Sequence, residues 1–165
     1  MQGYDVIGDV HGRAQQLEAL LQLLGYQCQA GVYHHPSRQA IFIGDMIDYG
    51  PEQRATLTLV RNMVEAGSAL AVLGNHEFNA VAFATPDPVD PDRFLRAHNT
   101  KNRVQHKAFL AEYVNDPQAY QAAIAWLKTL PLFLEIDGAA FVHAAWSDAL
   151  VARIKPMLNQ DNSLP

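Results

Sequence analysis

Three short segments carry the residues best suited to chemistry: Gly8-Asp9-Val10-His11-Gly12, Gly44-Asp45-Met46-Ile47-Asp48 and Gly74-Asn75-His76-Glu77. Each follows an apolar run, and a glycine precedes its polar residues. A fourth segment, Ala139–His143, ends in a histidine in the same manner. Aspartate oxygen, imidazole nitrogen and an asparagine carbonyl form a mixed hard and borderline donor set. Such a set suits manganese, iron, zinc, cobalt or nickel better than calcium, which takes more oxygens. Asp9, His11, Asp45, Asn75 and His143 are therefore candidate ligands for two divalent ions, and Asp45 could bridge them. Two ions about 3.5–4 Å apart clamp the attacking and leaving oxygens of phosphoryl chemistry and lower the pKa of a bound water toward about 7, making it the nucleophile. His76 is a candidate proton donor to the leaving oxygen. Asp48, three residues after Asp45, is suited to orient and charge it. A single aspartate or histidine at a strand end is usually a turn residue. Three such clusters recurring in order, each after an apolar run, are not explained that way.

These clusters need elements to bring them together. Tyr4–Gly8, Ala40–Gly44 and Ala69–Leu73 read as buried strands that end at or just before a glycine. Leu17, Leu20, Leu21 and Leu24 follow the first at helical spacing, and Gly25 can end that helix. Leu59, Val60, Met63 and Val64 supply the stripe of a second helix, which Pro51 can open. Strand, helix, strand, helix, strand predicts a parallel α/β layer. Ligands gather outside the carboxyl ends of such strands, so the polar clusters should converge there. Further along, His76–Phe83 reads as a short helix and Thr85–Pro91, with three prolines, as a loop. Residues from about Asp92 to Tyr113 read as helical, and Asp116-Pro117 opens another helix. Leu132–Ile136 and Ala139–His143 flank Asp137-Gly138, a strong hairpin signal. Ser147 can cap a last short helix.

Composition narrows the function classes. The chain has 165 residues, 49% of them apolar, which suits one domain over 1–165 with its own core. A net charge of −5 gives no long-range pull on polyanions. The single cysteine, Cys28, excludes an intramolecular disulfide. Neither a leader-like N-terminus nor an apolar run long enough to span a membrane is evident, so a cytoplasmic protein without membrane partners is expected. A metal-free nucleotide-binding protein is disfavoured, since no GxxxxGKS or GxGxxG loop occurs. His34 and His35 read as a solvated loop. His98, Lys101, Arg103 and His106 read as a solvated helix face, with a lid over the site as the alternative.

GDVHG (Gly8–Gly12), GDMIDYGP (Gly44–Pro51) and GNHE (Gly74–Glu77) resemble the signatures of the calcineurin-like metallophosphoesterases, in particular a bacterial phosphoprotein-phosphatase-like branch that reads GDxHG, GDxxDRG, GNHE. Val142-His143-Ala144 resembles that branch's next histidine motif. The resemblance implies an α/β layered sandwich, with helices flanking two sheets. It implies Asp9, His11 and Asp45 on one metal, Asp45, Asn75 and His143 on the other, and His76 as general acid supported by Asp48. Manganese is the expected ion. The implied activity is metal-dependent hydrolysis of a phosphomonoester or polyphosphate anhydride. Phosphoproteins, dinucleoside polyphosphates and nucleotide or RNA ends are the substrate classes it spans.

Two departures qualify this. Tyr49 stands where the family has a phosphate-gripping arginine, and a phenol lacks the charged fork of a guanidinium. Arg13 and Arg54 are the nearest substitutes. In addition, no histidine follows His143, whereas the family supplies one more metal histidine. The second sheet is therefore expected to be incomplete, the chain an N-terminal portion of a longer protein, and a homodimer a way to cover the open face. A catalytically impaired metal-binding or interaction fragment is the competing reading.

Overall fold

The computed structural model describes residues 3–165. Its centre is a parallel sheet of β1 (Gly3–Ile7), β4 (Arg38–Phe42) and β5 (Ala69–Ala71), in the order β1-β4-β5. The middle strand is the most buried: Ala40, Ile41 and Phe42 are inaccessible, as expected of a parallel strand covered on both faces. Helix α1 (Ala14–Leu23) follows β1 and buries Ala14, Leu17 and Leu21. It ends as the sequence predicts, with Gly25 in the left-handed region at φ 90°.

Helix α2 (Gln53–Glu65) buries Leu57, Leu59, Val60 and Met63. It begins two residues after Pro51, later than expected, and its first amides have partners from elsewhere. The Glu112 carboxylate accepts from Gln53 N at 2.6 Å and Arg54 N at 2.9 Å. A carboxylate at a helix N-terminus satisfies orphan amides and opposes the helix dipole.

Three features depart from the sequence reading. Residues 27–34 form a small hairpin, β2 (Gln27–Gln29) with β3 (Val32–His34), turned by Ala30 and Gly31 at φ 51° and 82°. His34 thus lies in a strand. Residues 92–99 are not helical. The helix expected there is two short ones, α4 (Thr100–Gln105) and α5 (Lys107–Tyr113), with Asn99 capping the first through Asn102 N at 2.9 Å. The basic segment divides: Lys101 and Arg103 are exposed on α4, as a solvated face requires, whereas His98 stacks between Phe83 and Phe94, with centroids 3.8 and 4.1 Å away.

The remainder follows expectation. Helix α3 (Asn75–Ala84) starts at the third cluster, and α6 (Pro117–Lys128) is capped by Asp116 through Ala119 N at 3.0 Å. Strands β6 (Phe133–Ile136) and β7 (Ala139–Val142) form the Asp-Gly hairpin as a separate two-stranded antiparallel sheet. Helix α7 (Asp148–Ile154) is capped by Ser147. None of these helices is long and apolar enough to cross a membrane.

Candidate metal centre

The loops after β1, β4 and β5 converge, and backbone hydrogen bonds join the first two. Val10 N and His11 N both donate to Asp45 O, at 3.0 and 2.9 Å, and Gly12 N donates to Met46 O at 2.8 Å. The other junction is tighter. A methyl group at Gly44 would overlap the Gly74 backbone, and one at Gly74 would overlap Asp45. Glycine before Asp45 and before Asn75 is thus what lets the two strand ends approach. His11, Asp45, Asp48 and Tyr49 all lie at positive φ, between 48° and 70°. Clustered left-handed side-chain-bearing residues store backbone strain of the kind found at functional sites.

Glu77 holds this backbone in place. It is fully buried in α3 and accepts from Asp45 N, Met46 N, Ile47 N and Gly74 N at 2.8, 2.8, 3.1 and 2.9 Å. Burial pushes its pKa up, and the amides oppose that. Each hydrogen bond to a charged group contributes about 1.5–3 kcal/mol, so this carboxylate is a principal brace of the site. Gln53 braces the next turn, accepting from Asp48 N at 2.7 Å and donating to Gly50 O at 2.7 Å.

On this frame the imidazoles of His11, His76 and His143 surround one oxygen. Asp45, 4% exposed, spends Oδ1 on His76 N at 3.0 Å. Its Oδ2 lies 3.4 Å from His143 Nε2, 4.0 Å from His11 Nε2 and 3.9 Å from His76 Nε2. Asp9 Oδ2 is 3.8 Å from His11 Nε2, and Asn75 Oδ1 is 3.1 Å from His143 Nε2. Two donors each about 2.1 Å from one ion lie roughly 3–4 Å apart, so these spacings fit metal coordination. Two clusters emerge, His11 with Asp45 and His76, and Asp9 with Asp45 and His143, each with its donor atoms within 4.8 Å of one another. Both contain Asp45. The tautomers also fit. His11 and His143 donate Nδ1–H to the carbonyls of Ile47 and Ile43, each at 2.8 Å, which leaves Nε2 as a lone pair facing Asp45.

His76 differs. Its Nδ1 meets Asp48 Oδ2, a carboxylate, at 2.7 Å. Burial opposes its charge, yet the bond to Asp48 and the charges of Asp45, Asp48 and Glu77 outweigh burial and raise its pKa above the ordinary histidine value. Burial also opposes charge on Asp48, but hydrogen bonds from His106 and His76 hold its carboxyl below the usual range. His106, read from sequence as part of a basic helix face, is buried here, with Nδ1 2.8 Å from Asp48 Oδ1.

The substrate-side candidates separate. Tyr49 is 63% exposed, edge-on to His11 and His76 with centroids 4.8 and 5.1 Å away. Arg13 lines a shallow cavity with Gly8, Asp9 and Leu17. Arg54 is engaged elsewhere: it donates to Glu112 O at 2.8 Å, pairs with Asp116 at 3.0 Å and lies over the Tyr113 ring.

A family model described as calcineurin-like phosphoesterase matches residues 4–157. The chain belongs to the calcineurin-like phosphoesterase family. This corrects the expectation of an N-terminal portion lacking part of the domain, because the family match spans nearly the whole chain and both clusters lie within it. Among curated relatives, the asymmetrical bis(5'-nucleosyl)-tetraphosphatase PrpE of a Geobacillus strain is 41% identical over 146 residues, covering 85% of this chain and 55% of that protein. The protein of the same name from Oceanobacillus iheyensis is 45% identical over 73 residues, 44% of this chain and 29% of its own length. The chain thus spans about half or less of the length of these two relatives. The fold matches that of the cold-active protein-tyrosine phosphatase of a psychrophilic Shewanella, with a TM-score of 0.55 at 20% identity, over 93% of this chain and 45% of that one. The layered α/β phosphoesterase sandwich expected from the motifs is therefore the observed fold.

Proposed function

We propose that this chain hydrolyses phosphate esters or polyphosphate anhydrides at a dinuclear divalent-metal site. The observation that carries the proposal is Asp45, whose carboxylate belongs to both side-chain clusters, the one with His11 and His76 and the one with Asp9 and His143. In this reading Asp9, His11 and Asp45 hold one ion, and Asp45, Asn75 and His143 hold the other. Bound divalent ions supply Lewis-acid polarisation of the phosphoryl group and activation of water. Manganese is the proposed ion, since the donors mix carboxylate, amide oxygen and imidazole without thiolate.

The chain's own residues do the remainder. His11 and His143 present Nε2 lone pairs and act as ligands. His76 is assigned a different task, because a histidine paired with a buried carboxylate and raised in pKa favours the imidazolium, which has no lone pair to give. It protonates the leaving oxygen, and Asp48 orients it. Arg13, beside Asp9, is the cationic group proposed to meet substrate phosphate. Arg54, committed to Glu112 and Asp116, is not.

Dinucleoside polyphosphates are the substrate class we favour, ahead of phosphoproteins and nucleotide or RNA ends. The two relatives described above carry that activity in their names. The exposed Tyr49 ring also suits a substrate with a base to stack, whereas it serves a bare phosphate less well than arginine does. The test is turnover by the purified chain of p-nitrophenyl phosphate and of diadenosine tetraphosphate, with and without added Mn²⁺. Manganese-dependent release of nitrophenol, and a higher kcat/KM for the dinucleotide, are expected. Absence of manganese-dependent turnover of either substrate contradicts the proposal.

A further inference from the structure

One buried titratable group lies outside this scheme. His106 sits between α4 and α5, 58 residues from Asp48 in sequence, yet the two meet in the interior. Asp48 is 2% exposed, so its charge needs donors within the protein. It has two side-chain donors, on opposite oxygens: Oδ2 faces His76 Nδ1 at 2.7 Å and Oδ1 faces His106 Nδ1 at 2.8 Å. The other nitrogen of His106, Nε2, is buried without a partner among the described residues. Its ring stacks on Phe109, centroids 4.8 Å apart, and lies beside Phe83 at 5.5 Å. The ring is therefore held by apolar packing, and its one polar contact is with Asp48.

We propose that His106 is a positioning residue for the proton donor, holding Asp48 so that its second oxygen faces His76. The proposal rests on the reading that His76 protonates the leaving oxygen. Without the His106 donor, Asp48 Oδ1 is left buried and unpaired. The carboxylate then gains by turning toward any other donor, and each turn takes Oδ2 out of line with His76 Nδ1. His76 keeps its place in α3 but loses the partner that fixes its ring. A residue serving only to satisfy a buried oxygen would affect stability alone. A positioning residue affects proton donation.

The test uses the manganese-loaded chain and a series of aryl phosphates of rising leaving-group pKa, with His106→Phe, His106→Asn and His76→Asn. Loss of proton donation steepens the fall in kcat along the series, because poor leaving groups need the proton most. For His106→Phe we expect roughly a 10–100-fold loss at the poorest leaving group and about threefold or less at the best. His106→Asn, whose side-chain amide can replace the Nδ1–H donor, should recover most of the difference. A second readout needs no metal: in the metal-free chain, the His76 Nδ1–H proton should exchange slowly by NMR in wild type and His106→Asn, and fast in His106→Phe. Should His106→Phe not fold, His106→Gln, whose longer amide overshoots the Nδ1 position, takes its place. An equal loss across the series with an unchanged His76 signal makes His106 purely structural and overturns the proposal. A steepened series in His76→Asn but not in His106→Phe overturns the proposal and leaves the proton-donor reading standing. An unsteepened series in His76→Asn overturns that reading, and this proposal with it.

Discussion

Asp45→Asn is expected to lower kcat for aryl phosphate hydrolysis by about 10³-fold or more at saturating Mn²⁺, since loss of a single transition-state donor alone costs about 10²–10³-fold. The substitution is isosteric, so the loss is one of charge and of donor direction. Asp45 Oδ1 accepts from His76 N at 3.0 Å, and Oδ2 faces the Nε2 atoms of His143 and His11. An asparagine must place its NH2 group on one side or the other. Toward His76 N it sets donor against donor. Toward the imidazoles it sets a donor where bound ions would require a lone pair. Neither orientation keeps both functions, and the carboxylate's negative charge is gone in each. Circular dichroism should be unchanged, because Glu77 rather than Asp45 secures the loop backbone. A rate equal to wild type would sink the bridging role.

His76→Asn should reduce kcat by about 10²–10⁴-fold for a substrate with a poor leaving group, the range over which positioned proton transfer contributes. For p-nitrophenyl phosphate the loss should be much smaller, since nitrophenolate leaves without help. The contrast separates donation from ligation. If His76 were a metal ligand, as its membership in the cluster with His11 and Asp45 allows, metal content would fall and both substrates would suffer alike. If it is the donor, metal content stays at the wild-type value. A uniform loss together with lost metal would therefore reassign His76 to the ligand set.

The candidate ligands were legible in the sequence because each sits in a short motif that carries its own geometry. An apolar strand, a glycine and then a polar residue place Asp9, Asp45 and Asn75 at one sheet edge with no knowledge of the rest of the chain. The helix of Pro117–Lys128 and the Asp137-Gly138 hairpin were legible for the same local reason. What escaped depends on distant contacts. Glu112 caps α2 from 58 or more residues away, and nothing near Pro51 announces it. His106 stands among Lys101, Arg103 and Lys107, so its surroundings in sequence are basic, while in space they are Phe83, Phe109 and Asp48. Glu77 belongs to the GNHE motif, yet its four amide partners lie in two loops and cannot be read from the motif alone. The β2–β3 hairpin was missed because Gln27-Cys28-Gln29 is short and polar, and no alternation marks it. Residues from about Asp92 to Tyr113 read as helical on the spacing of Phe109 and Tyr113, which speaks only for the last turns of that stretch. The actual start is the Asn99 cap.

If Asp45 joins two metal positions in this chain, the number of bound ions must show it. Metal-free protein titrated with Mn²⁺, with bound metal measured per chain after removal of excess, should reach two ions, with the Asp45→Asn variant failing to hold both. A plateau at one ion or fewer in the wild-type chain contradicts the dinuclear site.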